Sequence, residues 1–237
     1  MQNHAEYHPS AASIGPRIDL YADIHKALRA AMCETLMRVG RTDATDAEEI
    51  RTTLSVVREL LAMCRSHVDK ENRHVHPAID ARARGVSARI ALEHDEHLQA
   101  IADLEEDVQV VEVTAVGSRD AALMRLYRHL SLFVADNFEH MIIEETSHNA
   151  ALWAHYSDAE LMEIHQRILA SIPPAEMTAV LRWMVPSVDA TSRARMFAGM
   201  RAQLPPEAFD GVLALAKSHL GPREAAKLER SLREMPA

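Results

Sequence analysis

Hydrophobic and polar positions alternate at helical spacing along most of the chain. Ile18, Tyr21, His25, Leu28, Met32, Thr35 and Val39 recur three and four apart, which predicts a helix over about 17–39. Gly40 reads as its stop. A second helix starts after Thr45 or Asp46, with Glu48 and Glu49 in the first turn, where the helix dipole favours acids. Its stripe is Ile50, Thr53, Val57, Leu60, Cys64, His67, Glu71 and His74, and Pro77 is expected to end it. A third helix, over about 87–113, carries Ile90, His94, His97, Ile101, Leu104, Val108 and Val111. A fourth, over about 119–153, carries Leu123, Leu126, Leu130, Phe133, Asn137, His140, Glu144 and Ser147. Narrow inward stripes joined by short connections predict an all-α fold, an up-down-up-down four-helix bundle over residues 17–155.

The flanks read differently. Residues 1–16, closing on Gly15-Pro16, are expected to form a flexible arm. Ser157 and Glu160 make a capping box, and short helical segments follow, punctuated by Pro173-Pro174, Pro186, Pro205-Pro206 and Gly221-Pro222. Ile172-Pro173-Pro174 with Val180-Leu181 returns as Leu204-Pro205-Pro206 with Val212-Leu213. This weak repeat predicts a small helical-hairpin domain over 157–237 as a C-terminal extension of the bundle, the expected seat of a dimer contact or protein partner.

Composition sharpens the fold and excludes several functions. Glycine is scarce (7), and Ala, Leu, Met and Val dominate an apolar fraction of 48%, which favours helices over a sheet. A net charge of −9 excludes nucleic acid and an anionic membrane as partners. The first residues lack the basic and apolar regions of a signal peptide, no apolar run is long enough to span a membrane, and Cys33 and Cys64 give no disulfide framework. A cytoplasmic location is the resulting expectation. Fourteen histidines is the one abnormal count.

Their positions carry the chemistry. His or Glu interrupts the apolar stripe on all four helices: His25 on the first, His67 and Glu71 on the second, His94 and His97 on the third, His140 and Glu144 on the fourth. Inward ionisable groups are costly unless paired or coordinated. In an up-down-up-down arrangement the start of the first helix lies beside the end of the second, the start of the third and the end of the fourth. His25, His67, His94, His140 and both carboxylates then fall in one layer at one end. His67-x-x-x-Glu71 and His140-x-x-x-Glu144 are i,i+4 pairs that project from one face of their helices. Two six-coordinate ions take roughly 12 ligand bonds, of which four imidazoles and two bridging carboxylates supply about eight. A solvent bridge and open positions complete such a centre.

This constellation resembles a hemerythrin-like domain, over about residues 18–150: a lone His, then His-x-x-x-Glu, then one or two His, then a His-plus-carboxylate pair. The resemblance implies His25, His67, Glu71, His94, His140 and Glu144 as ligands of two iron ions, bridged by carboxylates and solvent. The same donors accept manganese or zinc. On the third helix His94 is preferred to His97, which otherwise stands behind the ligands. His74 is open between ligand, channel lining and solvated helix end. The oxygen carriers of the family space their third-helix pair four apart and their fourth-helix pair five apart. Here the spacings are three and four, which fits better the broad bacterial branch, where sensing, storage and peroxide chemistry are represented.

The implied function is binding of dioxygen or another small diatomic ligand, for sensing or scavenging. The alternatives are a di-iron enzyme that decomposes peroxide or reduces nitric oxide, and a storage or structural metal site in an interaction protein. A ferritin-like site finds its Glu-x-x-His unit at Glu71/His74 and Glu145/His148, but the first helix offers His25 where that fold needs a Glu. Tyr21 reads as core within reach of the site and Cys64 as a small buried hydrophobe. His76 reads as structural, and His4, His8, His129, His148, His165 and His219 as surface residues.

Overall fold

The computed structural model describes residues 17–235. Every regular element in that range is helical, with no strand among the described residues. The arm expected over 1–16, with His4 and His8, lies outside them.

Four long helices form the main body: α1 (Ala22–Arg41), α2 (Ala47–Lys70), then beyond the short α3 (His76–Arg82) α4 (Ala88–Val113) and α5 (Arg119–Ile143). α1 packs on α2 and α5, and α4 packs on the same two. Local chemistry sets their ends. Asp19 Oδ1 accepts the backbone N–H groups of Tyr21 and Ala22, so the turn before α1 is side-chain capped and the helix starts later than its stripe suggests. Asp46 caps α2 by accepting from the N–H groups of Glu48 and Glu49. Gly40 does not stop α1, which continues to Arg41. A Cβ there would come within 2.9 Å of the Tyr127 ring, so this glycine serves close packing of α5 on α1.

Pro77 does not end the second helical stretch either. A wide π-helical turn over Glu71–Val75 precedes it, closed by the His76 N–H donating to the Glu71 carbonyl, and α3 carries Pro77 in its first turn. The missing N–H costs nothing there, and the helix runs on to Arg82. The fourth stretch is built alike: a π turn over Glu144–His148 leads into α6 (Asn149–His155).

Leu54, Leu60, Leu61, Ile101, Leu104, Leu126 and Leu130 are central to a core between the long helices. A second cluster closes one end, where α7 (Asp158–Ala170) brings Leu161 and Ile164 onto Tyr21, Val75, Ile79 and Leu152. The remaining helices are α8 (Pro174–Ser187), α9 (Ala190–Gln203), α10 (Pro206–Ser218) and α11 (Pro222–Glu234). The repeated Pro-Pro pairs open α8 and α10 in the same way, the second proline of each pair standing at the first helical position. These helices share a core of Leu181, Val185, Phe197, Phe209, Ala216, Leu228 and Leu232. α8 also packs on α1 and α2, held by Lys70 Nζ to Glu176 at 2.7 Å and Arg182 to Glu59 at 3.1 Å. No helix among the described residues is long and apolar enough to cross a membrane.

Candidate metal centre

The end of the main body that α7 covers holds the inward His and Glu residues. Two groups of four meet there. His25, His67, Glu71 and Glu144 form one, and Glu71, His94, His140 and Glu144 the other, each offering ligand atoms within 4.8 Å of one another. Both carboxylates belong to both groups. α1 supplies His25 and α2 His67. Glu71 and Glu144 each open a π turn, one helical turn beyond His67 and His140, and α4 supplies His94.

The facing atoms are those a cation would need. His25 Nε2 lies 3.2 Å from His67 Nε2, and His94 Nε2 lies 3.1 Å from His140 Nε2. Donors held about 2.1 Å from one ion sit roughly 3.0–3.4 Å from each other in octahedral or tetrahedral geometry. The carboxylates close the same polyhedra. Glu71 Oε1 is 3.2 Å from His67 Nε2, and Glu71 Oε2 is 3.4 Å from His94 Nε2. Glu144 Oε2 is 3.4 Å from His25 Nε2, and Glu144 Oε1 is 3.3 Å from His140 Nε2. None of these approaches has hydrogen-bond geometry, so all four carboxylate oxygens are buried without a hydrogen-bond partner. Four orphaned oxygens in a protein interior are a severe penalty unless something positive stands between them. The residues present therefore fit bound metal.

The opposite ring nitrogens carry the second half of the design. His25 Nδ1–H donates to Glu145 at 3.0 Å, His94 Nδ1–H to Asn72 at 2.7 Å, and His140 Nδ1–H to Glu93 at 2.9 Å. Such outer acceptors fix the tautomer and turn Nε2 toward the site, as in metal-ligating histidines generally.

Electrostatics agree with the geometry. Burial pushes His25 down, but Glu145, Glu71 and Glu144 reverse this and raise it to about 9. Burial likewise lowers His94, and Glu144 and Glu71 carry it back up to about 9. His67, for which burial dominates, falls to about 4 despite Glu71. Burial and Glu71 raise the Glu144 carboxyl, while His140 and His94 more than reverse this and lower it to about 2. Burial lowers His140 too, but Glu144 and Glu93 more than offset it, so it is raised.

The six residues implied by the hemerythrin resemblance thus come together. His74 and His97 join neither group. His97 is buried edge-on against His140, with ring centroids 4.6 Å apart, while His74 is half-buried and lines an outer cleft with Arg73 and Arg167.

One further expectation needs correction. His148 is not a surface residue: it is fully buried and shares a 3.0 Å hydrogen bond through Nδ1 with the Tyr21 hydroxyl. His76 is buried and stacks on His94 with ring planes 9° apart. Together with Glu144 they make a third group of mutually close donor atoms. His129 is exposed, as expected, and pairs with the buried Asp107 at 2.6 Å. The wide turn after Glu71 is what brings His76 inward. A π turn carries one more residue than an α turn, so the inward stripe resumes at Val75 and His76 rather than His74, while His148 stands four residues after Glu144 and shares its face at ordinary helical spacing.

No family model matches the chain, and neither a curated protein nor a solved structure matches it. Fold and site together define a helical protein with buried His/Glu clusters able to hold metal.

Proposed function

We propose that this chain is a hemerythrin-like, cytoplasmic di-iron protein that binds dioxygen or another small diatomic ligand for sensing or scavenging. In this reading the four long helices form an up-down-up-down bundle, and α8–α11 are the appended helical-hairpin unit. His25 and His67 hold one ion, His94 and His140 the other, and Glu71 and Glu144 span both. One observation carries the reading: four Nε2 atoms and four unpartnered carboxylate oxygens converge while outer acceptors hold the opposite ring nitrogens. When bound, a pair of irons supplies open positions where a diatomic ligand attaches reversibly. The protein's part is to fix the donors, keep both carboxylates ionised, and exclude bulk water through Leu161 and Ile164 of α7.

The experiment is metal analysis with an optical spectrum of protein from iron-supplemented cells, beside His67→Ala and Glu144→Ala. At least two irons per chain are expected, with the absorption of a coupled iron pair that changes reversibly on aeration. Both variants lose that absorption and much of the iron. Protein without metal, or variants that retain the full complement, overturns the proposal. A bound iron pair that ignores dioxygen and nitric oxide removes the ligand-binding role alone.

A further inference from the structure

We propose a third cation subsite, made by His76, His148 and Glu144, directly beside the dinuclear one and built for a zinc-type dication. It rests on the reading of the neighbouring groups as metal-binding, because Glu144 is common to all three.

Four observations support it. The ligand atoms of His76, Glu144 and His148 lie within 4.8 Å of one another, and all three residues are buried. The Nε2 atoms of His76 and His148 are themselves buried and have no hydrogen-bond partner, although imidazole nitrogens in a protein interior are expected to be satisfied. His148 is oriented from behind: Tyr21, fully buried one turn before His25, bonds its Nδ1, as Glu145, Asn72 and Glu93 bond the outer nitrogens of His25, His94 and His140. The two rings meet edge to face with centroids 5.4 Å apart, so they converge rather than stack away from each other.

The backbone explains how two residues so far apart in sequence reach this position. His76 stands five residues after Glu71 and His148 four after Glu144, each at the close of a π turn. In a regular α-helix a residue at i+5 points well away from residue i. The π turn stacks them, which its backbone bond from His76 N–H to the Glu71 carbonyl records. The second helical stretch is thus widened at the point that turns His76 inward, while His148, four residues after Glu144, shares that residue's face at ordinary helical spacing. Pi turns of this kind are frequent at functional sites.

The donor set selects the ligand class. Two imidazoles and one carboxylate, with a fourth position for water, suit a borderline first-row dication such as zinc or cobalt(II). Soft cations have no thiolate here, since Cys64 and Cys33 lie outside the group, and the three donors are too few and too nitrogen-rich for calcium. Glu93 and Glu145, behind His140 and His25, add negative charge that offsets a third dication.

The test is the zinc stoichiometry of the metal-free full-length protein, by equilibrium dialysis with elemental analysis, beside His76→Gln and His148→Gln. About three zinc ions per chain are expected, and about two in each variant with cooperative melting retained. About two in all three proteins overturns the third subsite while leaving the dinuclear reading intact. About two in the native protein and one in the variants also overturns it, by assigning His76 and His148 to the dinuclear pair. No zinc in any protein removes both readings. Tyr21→Phe keeps the proposal testable where the glutamine variants do not fold: the third equivalent weakens roughly 10–100-fold and the first two do not. An unchanged third equivalent in that variant counts against it.

Discussion

At the scale of single residues, the imidazoles here are two-sided. Nε2 faces the candidate metals, and on three of them Nδ1–H is engaged by an acceptor outside: Glu145, Asn72 or Glu93. Removing such an acceptor leaves every ligand in place and loosens its orientation. Glu93→Ala is therefore expected to weaken metal binding about 10–100-fold with the fold unchanged. Chelator competition measures this, and an unaltered affinity would show that Glu93 is only a surface partner of Arg89. The two cysteines give a second contrast. Cys64 is buried in the main core, which pushes its thiol up to about 12, while Cys33 is exposed on α1. The thiolate is the reactive species. One thiol per chain is expected to react quickly with an aromatic disulfide under native conditions and two after unfolding. Two fast thiols in the native protein would mean that the core opens around Cys64.

At the scale of elements, what the sequence makes legible follows from periodicity. The four long helices and the inward places of His25, His67, Glu71, His94, His140 and Glu144 are readable because a regular 3.6-residue period holds up to the two glutamates. Beyond them the period breaks, and composition carries no mark of a π turn. Hence His76 is hidden, and Pro77 looks like a terminator although the wide turn before it lets the helix continue. Gly40 misleads for another reason: its smallness answers to the Tyr127 ring, a contact with no local signature. Caps, by contrast, are local and legible. Asp46 accepts from two N–H groups at the start of α2. Asp46→Ala is expected to cost about 1 kcal/mol, a fall of roughly 2–4 °C in midpoint for a chain of this size. A thermal melt of the metal-free protein checks it, and no shift would mean that solvent replaces the cap without loss.

At the scale of the whole molecule, the proposed reading makes metal and protons competitors for one buried centre, and stability should register the competition. In the metal-free protein His25 and His94 titrate near 9 instead of the usual 6.5, because Glu145, Glu71 and Glu144 outweigh the burial that would lower them. A group raised in the folded state contributes stability in full below its unfolded value and loses it as pH climbs through the folded one. The metal-free protein should therefore lose stability between about pH 6.5 and pH 9. Metal binding runs the other way, since imidazole must be neutral to ligate and binding releases protons. The gap in melting midpoint between loaded and metal-free protein is expected to widen as pH rises across that window. Paired melts at pH 6 and pH 9, in one buffer and at one free-metal concentration, measure it. A gap that stays constant would show that the metal, wherever it binds, does not displace the protons of His25 and His94, and would detach these two histidines from the centre despite their geometry.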